Sequence, residues 1–188
     1  MYRPPEFLKA VKDELADWRL WADRAVVFLF AVLAGLTVVG FTWLSEHALE
    51  TFFAIHYQYF WLPLVWTPLL TMGIVYLTRR FALGAAGSGI PQVMAALSPQ
   101  TPRLQRSLFV SLKLSAMKVG LTASGLLAGL SLGREGPSVQ IASGVMHSAR
   151  RWLSPNSSIK DTGLLLAGGA AGIAAAFNTP LGGVMFAI

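Results

Sequence analysis

An all-helical, polytopic membrane protein with broken and re-entrant helices is the fold class this sequence predicts, on three observations. Of its 188 residues, 54% are hydrophobic and only 13% charged, with mean hydropathy +0.56. A soluble domain carries about a quarter charged residues. Apolar stretches long enough to span a bilayer end at basic residues, as cytoplasmic flanks do. Three Gly- and Pro-rich breaks, at 87–91, 133–137 and 168–183, interrupt those stretches. Non-helical backbone at membrane depth survives only where it is buried or lines an aqueous cavity, so such breaks point to a transport site.

There is no Cys, which excludes disulfides and thiolate metal sites. No His/Asp/Glu cluster accompanies the breaks either, so no metal is expected. The net charge of +6 and pI near 10 come from basic residues scattered in ones and twos at segment ends. They read as membrane orientation, and no nucleic-acid partner is expected.

Residues 2–24 mix five basic and five acidic residues with apolar ones at roughly helical spacing. They predict an amphipathic helix on the cytoplasmic membrane surface, without the h-region of a signal peptide. Residues 25–45 carry no charge and form the first crossing. A loop at 46–59, with Glu46, His47, Glu50 and His56 but no Lys or Arg, lies outside. Residues 60–78 form a second crossing, bent by Pro63 and Pro68 and ending inside at Arg79 and Arg80. From 81 to 102 the chain is uncharged but broken by Gly84, Gly87, Gly89, Pro91, Pro99 and Pro102. The pattern predicts a loop and a short helix over 88–97, too short to span.

A long apolar helix is then expected over 105–132, with Lys118 in its middle. After the break at 133–137, a helix of about 16 residues reaches Trp152, and Arg150, Arg151 and Lys160 mark the inside again. Residues 162–177 form the next apolar helix, Asn178-Thr179-Pro180 breaks it, and 181–188 begin another. Those last eight residues are apolar, with no charged flank or cap, so the chain is expected to be the N-terminal part of a longer protein. Trp18, Trp21, Trp43, Trp61 and Trp152 suggest an aromatic belt at segment ends. Gly125, Gly129 and Gly133 repeat every four residues, as do Gly168 and Gly172, a spacing that lets helices pack closely.

The break Gly133-Arg134-Glu135-Gly136-Pro137 is the most informative. A charged pair deep in an apolar sequence is costly and reads as functional. Pro137 suits the first turn of a helix. A helix start aims unpaired N–H groups and a positive dipole end at what lies in front of it, which makes an anion site. Ser88 opens a second helix from the inner side, and Glu135 opens one from the outer side. The two starts can face each other, with the Ser88 hydroxyl and the N–H groups near Glu135 as donors.

Gly87-Ser88-Gly89-Ile90-Pro91, Gly133-Arg134-Glu135-Gly136-Pro137 and the run 168–188 (GGAAGIAAAFNTPLGGVMFAI) together resemble the CLC family of voltage-gated chloride channels and chloride/proton antiporters. The resemblance covers residues 25–188, as a CLC-type transmembrane domain incomplete at its C-terminus, after the helix at 1–24. It implies the first of two inverted repeats. It also implies that chloride, and in antiporters protons, are the transported species, with no cofactor and no enzymatic activity. Ser88 would bind chloride through its hydroxyl, beside Gly87 and Glu135-flanking backbone at Arg134 and Gly136, with Gly89 in the same loop. Glu135 would be the gate and outer proton acceptor, occupying the outer anion site when ionised and leaving it when protonated. Lys118 would add positive potential near the pathway. Serine at 88 resembles chloride-selective members; nitrate-preferring ones tend to carry proline.

Members often carry acidic residues just after this first motif; here Gln92 and Met94 stand there, so a carboxylate partner for Lys118 in that segment is absent. The resemblance implies a multi-pass protein of a bacterial inner membrane, N-terminus cytoplasmic, and a homodimer in full-length form.

Two rivals stand beside this reading. One is a transport-incompetent membrane fragment. The other is an intramembrane serine protease, suggested by Ser143-Gly144 with His147 and by Ser124-Gly125. The Gly two residues before the serine that such enzymes use is missing at Ser88, Ser124 and Ser143. The sequon at Asn156 falls on the inner side.

Overall fold

The computed structural model describes residues 18–155 and 157–187, with the side chains of Arg103 and Leu104 left out. Most of the surface helix expected over 2–24, and Asn156 of the sequon, lie outside the described residues. Helix α1 (Trp18–Gln58) runs 41 residues without interruption. At 1.5 Å per residue it is about 60 Å long, twice the hydrocarbon thickness of a bilayer. Among the described residues it is the one helix long and apolar enough to cross a membrane by the usual measure of length and composition. The expected loop at 46–59 is therefore helix as far as Gln58. No proline falls between Trp18 and Gln58, and the polar residues there fit a helix surface. Trp43 stacks on His47 at 5.8 Å and Phe52 on His56 at 6.2 Å, both four residues apart. Trp43 thus lies well inside α1 rather than at a segment end. Residues 18–24 likewise belong to α1 rather than to a separate surface helix. Asp23 within them is buried, and its carboxylate accepts from Ser154 N and Oγ, each at 2.9 Å.

Helix α2 (Pro63–Phe81) starts at Pro63 instead of bending there, since proline is tolerated in the first turn, and carries Pro68 inside. A 3₁₀ turn (Leu83–Ala85) and the loop 86–89 lead to the short α3 (Ile90–Leu97). One turn of helix, α4 (Arg103–Arg106), precedes α5 (Leu112–Leu127). The single helix expected over 105–132 is thus divided and shortened. Ser111 caps α5 by accepting from Leu114 N at 3.3 Å. The other end closes at Gly129, whose φ of +84° is open to glycine. Leu130 N donates to Gly125 O at 3.0 Å and Gly129 N to Leu126 O at 2.9 Å, the paired closure that terminates helices at a left-handed residue. Of the glycines at 125, 129 and 133, only Gly125 is on a helix, so the three do not form one packing face.

Helix α6 (Glu135–Ser148) continues into a 3₁₀ turn (Ala149–Arg151), close to the expected span. Helices α7 (Asp161–Phe177) and α8 (Pro180–Ala187) are separated by Asn178 in the left-handed conformation, at φ 51° and ψ 37°. No strand occurs among the described residues, in keeping with the all-helical class.

Helix α6 is the axis of the molecule. Every residue from Gly136 to Met146 is buried, against α1, α3, α5 and α7. Small residues make this possible. A Cβ on Gly168 would stand 2.6 Å from Ser143 Cα, and one on Gly172 2.8 Å from Val139 Cα. Gly168 and Gly172 therefore serve packing, as their spacing suggests. Hydroxyls tie this axis to its neighbours: Ser115 Oγ on α5 donates to Ile141 O of α6 at 3.1 Å, and Ser143 Oγ on α6 donates to Leu165 O of α7 at 3.2 Å. Apolar side chains on the outside of α1, including Phe28, Leu36 and Val39, are exposed, as a lipid-facing surface requires.

Candidate anion site

The loop between α2 and α3 takes its shape from glycine and from side chains that reach it from elsewhere. Gly87 has φ +81° and Gly89 φ +115°, both in the region that glycine favours. Lys118, buried on α5, donates its ammonium to Ala85 O at 2.8 Å and to Gly87 O. Gln92, in the first turn of α3, accepts from Gly89 N at 2.9 Å and donates to Ala86 O. The cation thus pairs with main-chain oxygens at the end of a helical turn, where the dipole favours it. Ser88 is exposed beyond this clamp. Among the described residues, neither its hydroxyl nor the N–H groups of Gly87 and Ser88 have an acceptor.

The second half of the site is the start of α6. The helix begins at Glu135, and Pro137 occupies its third position, where the missing N–H would have had no partner in any case. The N–H groups of Arg134, Glu135 and Gly136 have no acceptor among the described residues. The Glu135 carboxylate is exposed and folds back over Gly133, where a Cβ would stand 2.9 Å from its Oε2. Arg134 turns the other way, and its guanidinium pairs with Glu46 on α1 at 2.9 Å.

The two helix starts touch. A Cβ on Gly136 would collide with Ser88 Oγ and O, and one on Gly89 with Gly136 O. Only glycine at both positions allows so close an approach. Together they line a cavity of about 570 Å³ that also receives Lys118, Gly87, Thr122 and, from α2, Thr78 and Arg79. Ser88, Gly87, Glu135, Gly136 and Lys118 are thereby brought together as the motifs suggested. Gly89 and Arg134 are not among the lining residues: the Gly89 N–H is engaged by Gln92, and the Arg134 side chain, though not its N–H, is held by Glu46.

Several residues of the site carried no strong signal in the sequence. Arg79 reads as a flank of α2, and Glu46 as part of a loop. Gln140 is a polar residue in the fully buried run of α6, and that anomaly could have marked it. Its amide nitrogen donates to Gly84 O and to Phe109 O, both at 2.8 Å, which ties α6 to the loop and to the turn before α5. Among the described residues no group of three metal-ligating side chains occurs. Ser143, the candidate nucleophile, is fully buried with its hydroxyl given to Leu165.

Comparison with known proteins covers the region that carries this geometry. The family model described as voltage gated chloride channel matches residues 70–188, which include both helix starts. The chain is 38% identical over 169 residues to the H(+)/Cl(-) exchange transporter ClcA of Cronobacter sakazakii, covering 85% of this chain and 34% of that protein. It is 36% identical over 175 residues to the protein of the same name from Klebsiella pneumoniae, covering 87% of this chain and 36% of the relative. The chain therefore spans about a third of the length of the curated relatives it matches. With the family model covering more than half its residues and these relatives most of its length, the chain belongs to the voltage-gated chloride channel (CLC) family.

Proposed function

We propose that this chain contributes one wall of a chloride pathway that exchanges chloride for protons, with Glu135 as a protonatable gate. The observation that carries the reading is the meeting of two helix starts, at Ser88 and Glu135, on one cavity with a buried lysine. Both starts offer N–H groups without acceptors, and such groups attract anions. The names of the relatives supply proton exchange. An ionised Glu135 competes with chloride for the α6 start, whereas a protonated one has no charge with which to compete. One carboxyl group can thereby gate the anion and carry the proton. Ser88 and the N–H groups of Gly87, Arg134, Glu135 and Gly136 are the proposed chloride donors. Lys118 and Arg79 supply positive potential at the cavity. The chain is taken to lie in a bacterial inner membrane as a multi-pass protein, N-terminus inside, and in its full-length form to dimerise.

The test is chloride and proton flux in proteoliposomes. Glu135→Gln is expected to abolish proton movement and to leave chloride flux flat with pH; retained coupling refutes the gate. Ser88→Pro removes a hydroxyl and an N–H that have no protein acceptor, and should raise nitrate flux relative to chloride several-fold. An unchanged ratio removes Ser88 from the pathway. A second reading is a chain that does not transport by itself. Flux from the 188-residue chain alone decides between the two.

A further inference from the structure

Helix α2 ends on two adjacent arginines that the fold treats differently. Arg79 lines the cavity between the two helix starts. Arg80 does not; its guanidinium lies over the ring of Phe81, 6.0 Å from the centroid. The dipole favours a cation in the last turn of a helix, and a basic pair marks a cytoplasmic flank. Both reasons apply equally to the two residues, so neither accounts for one of them lining the cavity. The charged residues on the cavity wall are Arg79, Lys118 and Glu135. Lys118 is buried, and its ammonium is matched by Ala85 O at 2.8 Å and by Gly87 O. Arg79 is exposed, and its guanidinium has no hydrogen-bond or ion-pair partner among the described residues.

We propose that Arg79 is the anion-capturing residue of this cavity: its charge draws chloride toward the helix starts at Ser88 and Glu135, whereas Lys118 holds the loop that receives it. The inference rests on the reading of the cavity as a chloride pathway. A guanidinium is always charged and is more weakly hydrated than an ammonium, so it exchanges water for a passing anion at lower cost. No ion pair among the described residues has to break before an anion meets it. The wall beside it is largely apolar, with Ile74, Val75, Leu121, Leu130 and Leu132. Low-dielectric walls focus the field of a charge into a cleft and raise the local concentration of its counter-ion. A capturing residue must also let go of what it attracts. An exposed charge pair changes an equilibrium only about two- to fivefold, which is weak enough for that.

The chain has no cysteine, so a cysteine placed at position 79 is the one thiol in the protein, and reagents can set its charge. Chloride binding by the purified chain is measured by titration calorimetry in detergent, at an ionic strength of about 0.01 M where charges are little screened. Glu135→Gln serves as the parent, so that no carboxylate competes for the site. Arg79→Cys is expected to weaken chloride binding about threefold. Reaction with a trimethylammonium methanethiosulfonate should restore it, and reaction with the sulfonate reagent should weaken it about threefold again. Arg80→Cys, taken through the same reagents, should leave binding unchanged. Equal binding with all three charges at position 79 overturns the inference and leaves the anion site standing. The same series of changes at position 80 shows a general surface-charge effect and also overturns it. A loss in Arg79→Cys that the cationic reagent does not restore assigns Arg79 a structural role and overturns it as well. Absence of chloride binding by the parent overturns the anion site, and this inference with it.

Discussion

The starts of α3 and α6 are built from the same ingredients and held in opposite ways. Each follows a glycine-rich break, each carries a proline in its first turn, and each leaves N–H groups without acceptors among the described residues. The α3 start belongs to a helix of only 8 residues, with Ser88 exposed ahead of it. Its order comes from Lys118 and Gln140, which reach in from other helices, and from Gln92 in the first turn of α3 itself. The α6 start needs no such clamp, since eleven consecutive residues behind it are buried. What remains free there is the Glu135 carboxylate, on the cavity rim. One start presents donors on a loop that other side chains hold, and the other presents an exposed carboxylate on a rigid base.

Three substitutions sharpen or break that contrast, taken from the largest expected effect to the smallest. Gly89→Ala sets a side chain at φ +115° and drives its Cβ into Gly136 O, the contact between the two starts. Strain and overpacking together should cost about 3 kcal/mol, read as thermal unfolding in detergent. A variant as stable as the parent would mean that the starts do not touch. Lys118→Met strands the carbonyl of buried Ala85 and frees that of Gly87, at a cost of about 1–3 kcal/mol for an unmet buried acceptor. Amide exchange should accelerate at 86–89 while 136–146 stay protected. Equal loosening of both segments would remove the distinction drawn here. Glu46→Gln weakens the half-exposed pair with Arg134 and should change stability by less than about 1 kcal/mol. Any larger loss would show that the α6 start, too, depends on a clamp.

Much of the fold was legible in the residues themselves. Asn178-Thr179-Pro180 marked the break between α7 and α8, because a left-handed residue followed by proline cannot continue a helix. The short helix after Ser88 and the helix starting at Glu135 were visible for the same kind of reason. One error fell where the local signal was polarity, and another where a glycine was read for its spacing rather than for its backbone. Glu46, His47, Glu50 and His56 suggested a loop, yet polar residues cost a helix little when they face outward, as Glu46, His47 and Glu50 do, and α1 runs through all four. The helix expected over 105–132 contained Gly129, which periodicity alone read as a packing residue and which in fact ends α5.

By itself, the sequence determined the class, the positions of the breaks and the two residues, Ser88 and Glu135, that face the cavity. These depend on hydropathy and on what glycine and proline permit, and both are properties of short stretches. Only the tertiary structure decided what surrounds them. That Lys118 pairs with carbonyls, that Arg134 turns to Glu46, and that Gln140 engages the loop before Ser88 all require residues far apart in the chain to meet. No local pattern encodes such meetings, because a hydrogen bond depends on where two groups stand and not on how many residues separate them.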